Sequence, residues 1–188
     1  MKLDPRLEFY LKHHQQIEEW ANLQKLVYDE ADKFFLSVID DLEAAAAMFP
    51  GEPKFEKSPT DSHPVASLWR PHWEEVWNKE GEPEDWFTIA FQWKRAVAMF
   101  DGMWGGVNCK NTFRSSPFVS AAIQEAAIKG GFKEKKQWPA KRYFHPSRED
   151  FYANLDTYKA ELLREMEQIW QTFYPIIDDV VEKLIAKR

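Results

Sequence analysis

The stretch from Trp86 to Lys110, WFTIAFQWKRAVAMFDGMWGGVNCK, does most to limit what this chain can become. Trp86, Thr88, Ala90, Gln92 and Lys94 alternate with Phe87, Ile89, Phe91, Trp93 and Arg95, a period of two that reads as a strand. Asp101-Gly102 supplies a turn dipeptide that tolerates positive φ. Met103 to Cys109 then reads as the returning strand, and Gly105-Gly106 within it marks a bulge or a close backbone approach. An antiparallel hairpin of this kind needs a cover for its apolar face. The rest of the chain has to provide it.

Two long helical patterns flank the hairpin. From Pro5 to Met48, Leu7, Tyr10, Ile17, Trp20, Val27, Phe35, Val38 and Leu42 recur in steps of three and four on one broad face, with Lys12, Glu19, Lys25, Asp29, Lys33 and Asp40 opposite. Asp4 is placed to cap this helix, and Pro5 stands at its first position. At 1.5 Å per residue it would be about 65 Å long. That exceeds the width of a small domain, so the helix must bend or protrude, and a protruding end is a route to dimerisation. A second pattern follows Ser147-Arg148-Glu149-Asp150, a near capping box, and runs to about Ala186 through Phe151, Leu155, Tyr158, Leu162, Met166, Ile169, Phe173, Val180 and Leu184. Pro175 lies inside it and is expected to kink it.

Between these patterns, residues 51–64 hold Pro53, Pro59 and Pro64 among charges and read as a loop. Val65 to Trp69 is a short strand. Pro71 to Lys79 is ambiguous, with the strand reading slightly preferred to a helical turn. Ser116-Pro117 opens a short helix that Gly130-Gly131 closes, and Arg142 to Phe144 adds a strand. The expectation is one α+β domain over residues 1–188. In it a small antiparallel sheet of three to five strands (65–112) packs against two long terminal helices (5–48 and 147–186), with one short helix (116–130).

With 188 residues the chain can bury a core without staples. Nine Trp, fourteen Phe and six Tyr make that core one of few, large side chains. The single Cys109 excludes an internal disulfide and fits a reducing compartment; on an apolar strand it reads as a small core residue. The amino-terminal residues lack the apolar core of a signal peptide, and no stretch approaches a membrane span, so a cytoplasmic protein without membrane contact is expected. A net charge of −6 disfavours non-specific binding to nucleic acid or anionic lipid.

Six of the nine tryptophans lie between residues 69 and 104. Buried, they are core; exposed, Trp69, Trp73 and Trp77 would mark a binding surface. Trp86, Trp93 and Trp104 could line a small-molecule pocket. Aromatic and basic residues interleave at Trp93-Lys94-Arg95, Phe113-Arg114 and Trp138 to Phe144, a composition suited to stacking on single-stranded nucleic acid. That requires Lys94, Arg95, Lys135, Lys136, Lys141 and Arg142 to share a face. The acidic run from Glu74 to Asp85 reads as a solvated loop, or as bait for a basic partner. The five histidines lack helical metal spacing, and neither a phosphate loop nor a nucleophile elbow occurs.

Gln92-Trp93-Lys94 on a strand resembles the second half of the PD-(D/E)XK nuclease motif, in which an acid on one strand precedes Glu or Gln, one residue, and Lys on the next. The resemblance implies a divalent metal and a Lys94 that polarises a water. It covers three residues. Glu84 and Asp85 lie too close to Gln92 to occupy a separate strand, and Asp61 sits in the proline-rich loop; without the resemblance, Gln92 and Lys94 are solvent-facing residues of a half-buried strand.

The expected function is therefore non-enzymatic: an interaction or accessory protein, of the compact kind found in bacteria and phages, that docks a protein partner or its own copy. No catalytic residue, metal ligand or cofactor is assigned. The alternative is a nucleic-acid-binding or metal-dependent nuclease-like protein using Gln92 and Lys94. The candidate binding residues are Trp69, Trp73, Trp77, Trp93, Lys94, Arg95, Lys141 and Arg142.

Overall fold

A computed structural model describes residues 3–59, 63–77, 86–95, 103–109, 117–135, 138–144 and 154–186; at 117–120 and 135 it describes the backbone alone. The chain is α+β. Helix α1 (Pro5–Ala46) is followed by strands β1 (Lys54–Ser58) and β2 (Val65–Trp69), a 3-10 turn (Pro71–Glu75), strands β3 (Phe87–Trp93) and β4 (Met103–Cys109), helix α2 (Pro117–Lys129), strands β5 (Lys133–Lys135) and β6 (Trp138–Phe144), and helix α3 (Leu155–Ile185). The sheet has six antiparallel strands in the order β1-β2-β3-β4-β6-β5, one more than the upper expectation.

Two of the six strands, β1 and β5, were not among those expected. The segment expected to be a loop, 51–64, contains a five-residue edge strand between Pro53 and Pro59. KFEKS has one apolar residue and no alternation to read. Its charges and flanking prolines suit an edge, because they discourage another chain from pairing there. Lys57 reaches Asp40 at 2.8 Å and Glu43 at 2.7 Å, tying this edge to α1.

Pro71 to Glu75 is a 3-10 turn and not a strand. Pro71 starts the turn, and Trp73 drops into the core with no exposed surface. Its ring packs against Trp170 of α3 at 5.7 Å and its Nε1 donates to Asp178 at 2.6 Å. Arg70 pairs with the same carboxylate, and His72 Nε2 lies 3.0 Å from it. One half-buried Asp on α3 thus collects three neighbours and pins the turn. Farther up α3, Trp170 Nε1 donates to the Pro50 carbonyl at 2.8 Å, which fixes the chain where it leaves α1.

Phe87, Ile89, Phe91 and Trp93 of β3 point into the main core with Ala66 and Leu68 of β2, Met103, Val107 and Cys109 of β4, and Ala140 and Phe144 of β6. The cover is the second half of α1 (Ala31, Phe35, Val38, Ile39, Leu42, Ala46), the length of α3, and Ile123 and Ala127 of α2. Trp93 lies against Phe35 at 6.0 Å and donates to Asp32 at 3.1 Å. The glycines of β4 mark a close approach, as their pairing suggested: a Cβ on Gly106, at φ +151°, would lie 1.9 Å from the Ala140 carbonyl oxygen.

Asp4 caps α1, accepting from the Arg6 amide at 2.8 Å. Gly131, at φ +70°, closes α2 while the Phe132 amide returns to the Ala127 carbonyl at 2.8 Å. Asn154 caps the described start of α3 by accepting from Thr157 N at 3.1 Å. Pro175 sits within α3 without ending it. The Asp101-Gly102 turn, the Ser116 cap, the 147–150 capping box, Lys136 and most of the acidic run lie outside the described residues.

Candidate interaction site

Helix α1 changes character at Ala31. From there to Ala46 it contributes to the core; from Pro5 to Glu30 every residue is exposed except the half-buried Ile17 and Tyr28. The exposed part is an arm about 39 Å long. Its described polar contacts stay within α1: Lys12 with Glu8 at 2.9 Å, Tyr10 with Glu18 at 2.7 Å, His13 with Gln16 at 3.3 Å, Gln24 with Tyr28 at 2.6 Å and Glu30 with Lys33 at 2.6 Å. The reason is the extent of α3. Phe34 stacks on Tyr158 at 5.5 Å and Asp41 pairs with Lys159 at 2.6 Å, so the first described turns of α3 lie level with Phe34. Toward Pro5, α1 runs on without it.

The arm is nevertheless apolar. Phe9 is 60% exposed, Trp20 72%, Leu23 58% and Val27 42%; Leu7, Tyr10, Leu11 and Leu26 are exposed as well. At 100° per residue, Phe9, Tyr10, Ile17, Trp20, Val27 and Tyr28 project from the side of α1 that farther on carries Ala31, Phe35, Val38 and Leu42. The core-facing stripe therefore continues for seven turns past the core. Isolated surface apolar residues need no explanation; a contiguous stripe of this size makes the arm the candidate contact surface.

No protein-family model, curated protein or solved structure matches the chain. The reading of the site rests on its own chemistry.

The candidate binding residues named from sequence do not form one surface. Trp73 and Trp93 are in the interior, 0% and 1% exposed. Trp69 and Trp77 are half-buried and meet at 5.8 Å beside the 3-10 turn. Trp69 Nε1 donates to Glu74 at 2.7 Å, and Lys54 reaches the same carboxylate oxygen at 2.6 Å. Lys54 first, then Trp69, holds the Glu74 carboxyl below its ordinary range. The ionised carboxylate is thus favoured by folding: its contribution is complete above the unfolded carboxylate value and disappears as pH falls through the lower folded value. The pair is part-exposed, so the effect is below about 1 kcal/mol. Urea midpoints between pH 6 and pH 3 should fall slightly less for Glu74→Gln than for the parent; an equal fall would remove Glu74 from the acid response.

Lys141 and Arg142, neighbours on β6, face opposite ways. Arg142 pairs with Glu165 of α3 and lies 4.8 Å from the Phe132 ring. Lys141 is on the sheet face away from the helices, its Nζ 3.9 Å from the Trp104 ring centre and 4.6 Å from that of Tyr143. Trp104 there packs with Ala90, Trp138 and Val65 in a second, smaller cluster, in which Trp104 and Trp138 are buried. The lysine thus occupies its own aromatic surround, a cation–π arrangement. Arg95 donates to the Pro59 carbonyl, and Lys94 is exposed. Lys141 and Arg142 thus do not share a face, as a phosphate-tracking groove would require of them; the Lys135 side chain and Lys136 lie outside the described residues. Gln92 donates its amide to the His63 carbonyl at 3.2 Å, and among the described residues no three His, Cys, Asp or Glu side chains gather to hold a metal ion. Trp86 is half-buried and Trp93 and Trp104 buried, the latter two on opposite sides of the sheet, so the three do not line one pocket. No helix among the described residues is long and apolar enough to cross a bilayer.

Sequence periodicity placed the arm's residues on one broad apolar face, and the length of that pattern called for a bend or a protruding end; it did not say where along the helix the cover stops.

Proposed function

We propose that this protein is a non-enzymatic interaction module that docks a protein through the apolar arm of α1. One observation carries the reading: Phe9, Trp20, Leu23 and Val27 stand exposed on a helix whose continuation is core. Large aromatic and aliphatic side chains in that setting form the centre of helix-mediated contacts, where Trp and Tyr are enriched among residues that dominate affinity. The arm's acidic second half, with Glu18, Glu19, Asp29 and Glu30 against Lys25 alone, favours protein over nucleic acid as the occupant.

The arm is external to the core, so at concentrations where the chain is monomeric Trp20→Glu should leave the unfolding free energy within about 0.5 kcal/mol of the parent. A photoreactive residue placed at position 20 in living cells should form a discrete protein adduct, and Val27→Asp in the same chain should abolish it. Absence of an adduct, or one indifferent to Val27→Asp, would refute docking through the arm. A substantial loss of stability in monomeric Trp20→Glu would show instead that the arm belongs to the fold.

A further inference from the structure

The geometry points to a second copy of this chain as the occupant of the arm, with two arms packed antiparallel in a symmetric pair. This rests on the docking reading above and specifies the partner.

The arm's spacing matches what a helix of its own kind needs. Leu7, Tyr10, His14, Ile17, Ala21, Gln24 and Tyr28 follow one another in alternating steps of three and four. That is the seam of a two-helix coil, with small and large residues mixed. In antiparallel order the seam closes on itself: Tyr10 meets the partner's Tyr28, His14 the partner's Gln24, and Ile17 the partner's Ala21. Large side chains then face small or flat ones. The two polar residues meet each other rather than an apolar layer, which fixes the register.

Charge selects the direction. Residues 5–16 carry Arg6, Glu8 and Lys12, a net +1 with the histidines neutral. Residues 17–30 carry Glu18, Glu19, Lys25, Asp29 and Glu30, a net −3. Antiparallel pairing lays each positive half along a negative half. Parallel pairing lays −3 along −3, and like-charge contact disfavours it. The size is sufficient too. Two arms of this length, each with Trp20 and Val27 flanking the seam, bury on the order of 1,500 Å², which falls in the range of stable interfaces. A two-fold axis through the middle of the arms makes the contact self-complementary and closed.

The test uses the purified 188-residue chain. Sedimentation velocity at micromolar concentration should give a species of twice the 22.3 kDa chain mass. Trp20→Glu with Val27→Glu, which changes both copies at once, should raise the dissociation constant about a hundredfold or more and leave the thermal midpoint of the monomer unchanged. Direction is read by cysteine pairing: His14→Cys chains mixed with Gln24→Cys chains should oxidise to the mixed disulfide in preference to either homodimer. A chain that stays monomeric at about a hundred times that concentration overturns self-pairing. The docking reading then survives if the position-20 adduct contains a different protein, and both fall if there is no adduct. A dimer that survives the double substitution, or homodimeric disulfides formed faster than the mixed one, also overturns the proposal.

Discussion

Replacing Trp73 with alanine is expected to lower unfolding free energy by about 4 kcal/mol, the upper range for emptying an aromatic site in a core. Trp73 has no exposed surface, and its ring fills the space between the 3-10 turn and Trp170. The substitution also removes the 2.6 Å donor to Asp178, leaving a half-buried carboxylate with Arg70 and His72. With total stabilities of about 5–15 kcal/mol, a loss of that size is a large fraction of the whole. Trp73→Phe keeps a ring and loses the donor, and should cost about 2 kcal/mol. Urea unfolding followed by circular dichroism separates the two variants. An alanine variant within 1 kcal/mol of the parent would mean that the turn is not anchored through this side chain.

Gly106→Ala should be the most damaging substitution of one atom in the described strands, costing more than about 3 kcal/mol. Two causes add. At φ +151° an L side chain is strained, and the new Cβ would stand 1.9 Å from the Ala140 carbonyl oxygen. That neighbour is backbone of β6, so it cannot rotate aside, and relief must come from separating β4 and β6 near the middle of the sheet. Gly131→Ala is the control. It meets nothing within 4 Å and bears only the penalty of φ +70°, about 1 kcal/mol. Comparing the urea midpoints of the two variants tests the account. Equal losses would show that the β4–β6 approach is not tight.

The architecture was legible where a residue pattern carries its own geometry. Alternation in Phe87–Trp93 marked β3, the paired glycines marked the close approach in β4, and three- and four-residue steps marked α1 and α3. Strand β1 escaped because Lys54–Ser58 is an edge, and an edge strand without a buried face has no alternation. The 3-10 turn escaped because spacings of two and four coexist at Trp69, Trp73, Glu75 and Trp77, and only the packing of Trp73 on Trp170 and Asp178 of α3 selects between them.

The candidate site shows the same division more sharply. Periodicity states that a helix has an apolar face; it does not state whether another element lies against that face. Trp20 and Phe35 belong to one stripe in the sequence, yet one is 72% exposed and the other 2%. Likewise Trp73 and Trp93 resemble surface anchors in composition and are core in fact. The sequence by itself determined which side of each helix and strand is apolar, because that follows from local repeat. Tertiary structure alone decided which of those apolar faces is covered, because burial depends on where α3 and the sheet stop, and those distances are set by chain segments remote in sequence.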